Sequence, residues 1–201
     1  NILMNGLPGQ TLDLSYKVPL VGDSSVGKTS IVSRFNDKRY TDNIQTTVGV
    51  SNVQLSINVD NQKVDMAIWD TAGQEKFLSL VPLYTRHSDC LIIVFDMSNS
   101  TSFNGVEAWY QRTREELDLK CPVVLCGNKI DLPTSVDKEE VELWAESHDC
   151  SLCFTSAKDG TGIDQLFQTV GKLLLNKKST VSEEFGSCPN LEAAQKKKGC
   201  C

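Results

Sequence analysis

The sequence lacks the features of a membrane-spanning, secreted or general nucleic-acid-binding protein. No apolar run approaches the length of a membrane helix, and residues 1–15 contain neither the basic nor the sustained apolar segment of a secretory signal. Positive charge is in deficit, because 20 lysines and arginines stand against 26 aspartates and glutamates, for a formal net charge of −6. The composition, 201 residues of which 40% are hydrophobic, predicts one soluble globular domain with a short appendage.

Signals for a disulfide framework or a cysteine-histidine metal site are also weak. The chain has only two histidines, and no second pair accompanies the spacing Cys150-x-x-Cys153, so redox or metal chemistry is disfavoured there. Four cysteines lie in or beside apolar strand-like segments, where a free thiol behaves as a small hydrophobic side chain. These four are Cys90, Cys121, Cys126 and Cys153.

Strand-like segments come in two kinds. Apolar and polar residues alternate over 53–59 and again over 64–68, with Asp60-Asn61 between them, which predicts an antiparallel hairpin. Residues 91–95 and 123–125 are instead continuous apolar runs, as expected for parallel strands that are buried on both faces.

Helical patterns separate these strands. Residues 102–117 predict a helix whose N-cap is Ser100 or Thr101, residues 137–148 predict a second, and apolar residues at helical spacing from Ile163 to Leu174 predict a third. Alternating strands and helices predict an α/β fold with a doubly wound sheet that helices cover on both faces. Binding loops in such a fold lie at the carboxyl ends of the strands.

The most specific motif lies at residues 22–29, which read Gly-Asp-Ser-Ser-Val-Gly-Lys-Thr. An apolar run precedes it and a helical pattern follows, so backbone N–H groups and a helix N-terminus can surround a phosphate. Lys28 can reach the β- and γ-phosphates, and the Thr29 hydroxyl can bind Mg²⁺. The phosphate-binding residues predicted from this loop are Ser24, Ser25, Val26, Gly27, Lys28, Thr29 and Ser30. The motif alone identifies a nucleoside triphosphate or a similar phosphate, not its base.

Two further segments add groups that could act on the terminal phosphate. Asp70 ends an apolar strand, where its carboxylate can hold Mg²⁺ through water. Gly73 can offer a backbone N–H to the γ-phosphate, and Gln74 can orient the attacking water. Thr47 offers a hydroxyl for Mg²⁺ and a backbone N–H for the γ-phosphate.

Two segments after later strands predict guanine recognition. Asp131 can accept hydrogen bonds from both N1–H and N2–H₂ of guanine, a pairing that adenine cannot make. The stem of Lys129 can pack on the base, the Ala157 N–H can meet guanine O6, and Tyr40 can lie edge-on against the base. The predicted base-binding residues are Tyr40, Asn128, Lys129, Asp131, Leu132, Ser156, Ala157 and Lys158.

At these residues the sequence resembles the Ras-like small GTPases, over roughly residues 15–175. Within that superfamily it looks like a Rab, on four stretches: Gly-Asp-Ser-Ser-Val-Gly-Lys-Thr-Ser from residue 22, Ile-Trp-Asp-Thr-Ala-Gly-Gln-Glu from 68, Gly-Asn-Lys-Ile-Asp-Leu from 127, and Gly-Cys-Cys at 199–201. Residues 79–84, Ser-Leu-Val-Pro-Leu-Tyr, are similar to the endosomal branch of Rabs. The resemblance implies an N-terminal extension (1–13), a P-loop GTPase domain (14–176) and a flexible tail (177–201). The domain would hold a mostly parallel six-stranded sheet with one antiparallel edge strand.

The resemblance also implies cofactors and partners. The cofactors would be Mg²⁺ and GTP or GDP, and the partners an exchange factor, a GTPase-activating protein, effectors and a GDP-dissociation inhibitor or escort protein. Cys200 and Cys201 would carry geranylgeranyl groups, and two lipid chains give stable membrane residence. Lys196, Lys197 and Lys198 would add attraction to anionic lipid. The protein is expected to be a monomer that cycles between the cytosol and the cytoplasmic face of an intracellular membrane, endosomal on the similarity above.

Some residues depart from the family pattern. Pro19 lies in the expected first strand and has no N–H for the sheet, which predicts a pairing defect or a bulge and some loss of stability. Asn52 replaces an aromatic residue of the effector-facing cluster that the resemblance assigns to Trp69 and Tyr84, so specific effectors are not carried over. Trp69 is expected either to be exposed or to pack under a neighbouring loop.

Three functions compete at this point. The first is a GTPase switch, the second a module that binds GTP without useful hydrolysis, and the third an ATP-using kinase. Gln74 argues against the second, because the water-orienting residue is present. Asp131 and the Ser-Ala-Lys segment at 156–158 argue against the third.

Overall fold

Strands and helices alternate along the part of the chain that the structure describes, residues 15–38, 50–71, 81–116 and 120–185 of a computed structural model. The strands are β1 (Tyr16–Val21), β2 (Val50–Val59), β3 (Gln62–Thr71), β4 (Leu91–Asp96), β5 (Val123–Asn128) and β6 (Ser151–Phe154). The helices are α1 (Lys28–Asp37), α2 (Val81–Thr85), α3 (Ser100–Asn104), α4 (Val106–Gln111), α5 (Lys138–Ser147) and α6 (Ile163–Phe185). A π-helical turn, Arg112–Glu116, follows α4.

All six strands form one sheet in the order β2-β3-β1-β4-β5-β6. The pairs β1–β3, β1–β4, β4–β5 and β5–β6 are parallel, and the edge strand β2 is antiparallel to β3. Asp60 and Asn61 connect β2 to β3 with φ values of 47° and 64°. Such left-handed backbone at both turn residues matches the twist of the strands. The predicted hairpin and the mixed six-stranded sheet are therefore confirmed.

Helices cover both faces of the sheet, as the continuous apolar strands predicted. In β4, Ile92 and Val94 face a core that α1 and α6 complete, whereas Ile93 and Phe95 face a second core beneath α3, α4 and α5. Because neighbouring side chains of a strand point to opposite faces, only an unbroken apolar run can fill both cores. The carboxyl ends of β1, β3, β4 and β5 meet at one edge of the sheet, where the loops of the site follow.

Pro19 produces a pairing defect on one side of β1 only. The β1–β3 register is continuous from Tyr16 to Leu20, with Pro19 opposite Trp69, so no bulge forms there. Pairing with β4 is restricted to Leu20 and Val21. The carbonyl of Lys17 accepts the Asp89 N–H at 2.9 Å, so the backbone polar groups of residue 17 point toward β4. Those of residue 19, two positions along the strand, point the same way. The missing N–H of Pro19 therefore explains why the β1–β4 ladder starts late.

The predicted helix over 102–117 is not one helix, and its predicted N-cap was wrong. Asn99 is the cap, since its side chain accepts the Thr101 N–H at 3.0 Å. The helix is interrupted at Gly105, where an added Cβ would lie 2.9 Å from a carboxylate oxygen of Asp23. The phosphate loop therefore contacts the junction between α3 and α4.

The other two predicted helices are present. Asp137 caps α5 by accepting the Glu139 N–H at 3.0 Å. The last helix, α6, begins at Ile163 and continues to Phe185, into residues expected to belong to the tail. The division of the chain into extension, domain and tail stays a prediction.

The aromatic residues expected on the effector-facing cluster are only partly accessible. Trp69 is half-buried against the second core, and the Lys17 ammonium lies 4.9 Å from its ring centroid. Tyr84 is only 5% exposed, whereas Asn52, opposite Trp69 in the hairpin, is exposed. Trp69 is thus neither freely exposed nor fully covered.

The cysteines that the structure describes are free, as expected. Burial raises the pKa of the Cys126 thiol to about 12 and that of the half-buried Cys150 to about 11. These thiols are therefore protonated at neutral pH and pack as small apolar groups.

Candidate functional site

The loop between β1 and α1 leaves a helix N-terminus open to an anion. The N-cap of α1 is Gly27, which makes no side-chain cap hydrogen bond, and the first turn contains no acidic residue. The N–H groups and the positive end of the helix dipole are therefore not compensated by the protein's own carboxylates. This arrangement suits a phosphate.

Two positions in this loop require glycine, because neighbouring atoms lie too close to leave room for a Cβ. Gly22 has φ of 139°, and a Cβ there would lie 2.1 Å from the carbonyl oxygen of Val94 in β4. Gly27 has φ of 99°, and its Cβ would lie 2.4 Å from Nδ2 of Asn128. Any side chain at either position would push the loop away from the sheet or from Asn128.

Lys28 is held inside the loop that it follows. Its Nζ donates to the carbonyls of Gly22 and Asp23, both at 2.7 Å, and the residue is only 6% exposed. Burial lowers the pKa of Lys28 to about 8, although the carboxylates of Asp70 and Asp23 oppose this effect. A bound phosphate would supply the negative charge that favours the ammonium form.

Thr29 and Asp70 meet beside Lys28. The Thr29 hydroxyl donates to Oδ2 of Asp70 at 2.6 Å. The other oxygen of Asp70, Oδ1, is buried and has no hydrogen-bond partner among the described residues. Burial raises the pKa of this carboxyl, against the opposing effects of Thr29 and Lys28. A buried carboxylate oxygen without a partner, next to a hydroxyl, fits the hard oxygen ligands that Mg²⁺ prefers.

Asn128, at the end of β5, links the phosphate loop to the loop after β6. Its Nδ2 donates to the Val26 carbonyl at 2.9 Å, and its Oδ1 accepts from the Thr155 hydroxyl at 3.1 Å and the Ala157 N–H at 3.2 Å. The side chain is almost fully buried. The Ala157 N–H, predicted to meet guanine O6, is thus held by Asn128 in this structure.

Asp131 and Lys129 are also fixed by neighbours. Oδ1 of Asp131 accepts from the Ser156 hydroxyl at 2.7 Å, which ties the two predicted base-binding segments together. Lys129 has φ of 65°, and its Nζ lies 2.7 Å from Oδ2 of Asp96 at the end of β4. Anchoring the ammonium at Asp96 fixes the course of the aliphatic stem of Lys129.

These residues surround one open pocket between the phosphate loop and the loops after β5 and β6. It is lined by Gly27, Ser30, Asn128, Lys129, Asp131, Leu132, Ala157 and Lys158. The structure therefore brings together predicted residues that are more than 100 positions apart in the chain. Ser24, Ser25 and Val26 lie in the adjoining loop, and Ser156 lies beneath Asp131.

Several predicted positions lie outside the described residues. They are Tyr40, Thr47, Gly73 and Gln74 of the nucleotide site and the lipidation positions Cys200 and Cys201.

Three contributors were missed by the sequence analysis. Asp23 accepts the indole N–H of Trp109 at 2.9 Å, Asp96 holds Lys129, and Arg34 reaches the loop after β6. Asp96 ends an apolar strand, which is the same signal that identified Asp70. Asp23 and Arg34 carry no such signal, because their contacts depend on tertiary structure.

Comparison with known proteins agrees with this geometry. The Ras family model matches residues 17–176. Among similar proteins, human Ras-related protein Rab-21 is 39% identical over 163 residues, which cover 80% of this chain and 72% of that protein. The chain is a Rab small GTPase of the Ras family. Ras-related protein RabJ of Dictyostelium discoideum is 35% identical over 87% of this chain and 70% of its own. Ras-related protein Rab-7b of Paramecium octaurelia is 33% identical over 92% and 96%.

Membership of the Rab family settles the enzyme class. Small GTPases bind GTP and GDP, generally with Mg²⁺, and hydrolyse GTP, and Rab proteins act in membrane traffic. Of the helices in the described ranges, none combines the length and apolar character needed to span a membrane.

Proposed function

We propose that this Rab protein is a GTP-dependent switch that binds guanine nucleotide with Mg²⁺ and recruits effectors to an intracellular membrane. The observation that carries the proposal is a pocket in which the phosphate loop meets Asp131 and Ala157. A carboxylate and a backbone N–H on one side of the pocket match the guanine edge, and the other side is lined by Gly27 and Ser30, which flank Lys28 and Thr29 in the chain.

Guanine selectivity is the first test. Wild-type protein should bind GTP far more tightly than ATP in a competition titration, because adenine offers no donor pair to Asp131. Asp131→Asn should shift the preference toward xanthine nucleotide, whose base offers an acceptor where guanine offers a donor. Equal binding of ATP and GTP by the wild type would contradict this base-recognition scheme.

Mg²⁺ would be held by the Thr29 hydroxyl and, directly or through water, by Asp70, with Thr47 as a further ligand. When bound, the ion neutralises charge on the β- and γ-phosphates. Asp70 supports this assignment, since its buried Oδ1 has no partner among the described residues.

Hydrolysis is assigned to Gln74, which would orient the attacking water. The motifs of the site assign no arginine to the transition state, so we expect slow turnover, on the order of 10⁻⁴ to 10⁻² s⁻¹, without an activating protein. Gln74→Leu should lower single-turnover hydrolysis but leave GTP binding intact. Unchanged turnover would remove Gln74 from this role.

GTP would hold Thr47 and Gly73 against its γ-phosphate and so order the flanking segments 38–50 and 73–84, which hydrolysis would release. An exchange factor, an activating protein and effectors would act on these segments. We expect the protein to work as a monomer and not to bind nucleic acid.

Membrane residence would come from geranylgeranyl groups on Cys200 and Cys201, assisted by the three lysines at 196–198. A GDP-dissociation inhibitor or escort protein would carry the prenylated form through the cytosol. The target membrane is proposed to be endosomal, on the sequence similarity at 79–84. Deleting the two cysteines should leave nucleotide binding intact and move a tagged protein from membranes to the cytosol.

A further inference from the structure

Arg34 connects the helix that starts at the phosphate loop to the loop that reads the base. It lies in the last turn of α1. Its Nε donates to the Ala157 carbonyl at 2.7 Å, and its Nη2 donates to the Lys158 carbonyl. Its Nη1 lies 3.3 Å from the carbonyl of Lys38, which caps the end of α1. One guanidinium therefore joins two successive carbonyls of the 156–160 loop to α1.

Arg34 constrains Ala157 at its carbonyl, where no other described hydrogen bond acts. Asn128 holds the Ala157 N–H, and Arg34 holds its carbonyl. Two other described bonds of the loop are internal, since the Ser156 carbonyl accepts the Gly160 N–H at 2.9 Å and the Ser156 N–H donates to the Thr161 carbonyl at 2.9 Å. A third joins the Ser156 hydroxyl to Asp131 in the loop after β5. None of these three bonds reaches α1.

We propose that Arg34 is a positioning residue for guanine recognition: it sets the distance between the phosphate-binding and base-binding halves of the pocket. The inference rests on the proposed function of that pocket. A planar guanidinium donates to two carbonyls at once in a fixed geometry, whereas a lysine ammonium donates as a flexible point charge. Loss of the fork should let the loop drift, so that the Ala157 N–H no longer meets O6 reliably.

A purely structural role for Arg34 would predict something different. If the side chain only tied α1 to the domain, its loss would affect nucleotides with any base equally. If Arg34 positions the base-binding loop, its loss should weaken the binding of GDP, which depends on O6. The weak binding of ADP, which has no O6, should be unchanged. The ratio of GDP to ADP affinity therefore separates the two roles.

The test compares wild type, Arg34→Gln, Arg34→Lys and a control, Lys172→Gln, which removes an exposed cation from α6. Release of a fluorescent GDP analogue is followed after a chase with unlabelled GDP, and GDP and ADP affinities are obtained by competition. We expect Arg34→Gln to release GDP about tenfold faster and to lower the GDP-to-ADP affinity ratio by a similar factor. Arg34→Lys should be intermediate, and Lys172→Gln should match the wild type.

Two results would overturn the proposal. One is a GDP release rate for Arg34→Gln within about twofold of the wild type. The other is an equal loss of GDP and ADP affinity. If Arg34→Gln fails to fold, Arg34→Lys alone decides, because the proposal requires it to release GDP faster than Lys172→Gln. A wild-type protein that does not prefer GDP over ADP would instead refute the proposed function of the pocket.

Discussion

Asn128→Ala should destabilise the domain itself as well as weaken nucleotide binding. The substitution removes three hydrogen bonds from a side chain that is only 1% exposed. A buried hydrogen bond contributes about 0.5–1.5 kcal/mol net, and more where a partner is left unpaired. The Val26 carbonyl and the Ala157 N–H would both lose their partner. Because the pocket admits water that can replace part of this bonding, we expect a loss of about 2–4 kcal/mol in the free energy of unfolding.

The assay is urea unfolding without nucleotide, repeated with saturating GDP. Without nucleotide, the change in unfolding free energy reports the three internal bonds. With GDP, the added stability depends on the ratio of free ligand to its dissociation constant, so a further difference between variants measures lost affinity.

Thr155→Val is the matched control. It removes one donor to Oδ1 of Asn128 and leaves the other two bonds in place, so we expect a loss of about 1 kcal/mol. The reasoning fails if Asn128→Ala loses less than about 1 kcal/mol, or if Thr155→Val loses as much as Asn128→Ala.

Three further results are expected. GDP binding without Mg²⁺ should take up about half a proton at pH 8 and should weaken as the pH rises further, because ligand-free Lys28 has a pKa of about 8 and a phosphate favours its charged form. Calorimetry in two buffers of different ionisation enthalpy measures the number of protons taken up, and an uptake of zero would contradict the role of Lys28. Burial raises the pKa of the Asp70 carboxyl in the folded protein above its value in the unfolded chain, so the domain loses stability as the pH rises and this carboxyl ionises. Asp70→Asn should therefore raise the melting temperature of the ligand-free protein at pH 7, and it should abolish the effect of Mg²⁺ on GDP release. A lower melting temperature would contradict the assigned cost of ionising Asp70. Pro19→Val restores an N–H toward β4 and should stabilise the domain by up to about 1 kcal/mol in urea unfolding, whereas a loss of stability would show that the gap in pairing is not limiting.

The sheet was predictable because its signals are local. Alternation over 53–59 and 64–68 specified the hairpin, and Asp60-Asn61 has side chains that tolerate left-handed backbone. Continuous apolar runs specified strands that contribute to both cores. Once the strands are parallel, the loops after them must meet at one edge of the sheet, so the grouping of Asp70, Asn128 and Ala157 followed from topology.

The details that were missed depend on contacts between distant parts of the chain. The junction of α3 and α4 at Gly105 lies against the carboxylate of Asp23, which approaches from the phosphate loop and leaves no room for a Cβ. The cap at Asn99 rather than Ser100 reflects a competition among adjacent residues that all favour N-caps. In sequence Arg34 reads as a solvated position on a helix, and its partners lie more than 120 residues away. The three bonds of Asn128 were likewise not readable from its motif.

Pro19 has a mechanical consequence for the whole domain. The proline lies at the junction between two halves of the sheet, β2-β3-β1 and β4-β5-β6. Strand pairing across this junction is limited to Leu20 and Val21, and one further backbone hydrogen bond joins the Asp89 N–H to the Lys17 carbonyl. Before Leu20, the Asp89 carboxylate also accepts the Lys17 N–H at 3.0 Å. The phosphate loop begins directly after Val21, so the strand that carries it has few backbone hydrogen bonds to β4. A change in the relative position of the two halves would therefore act directly on the residues that surround a phosphate.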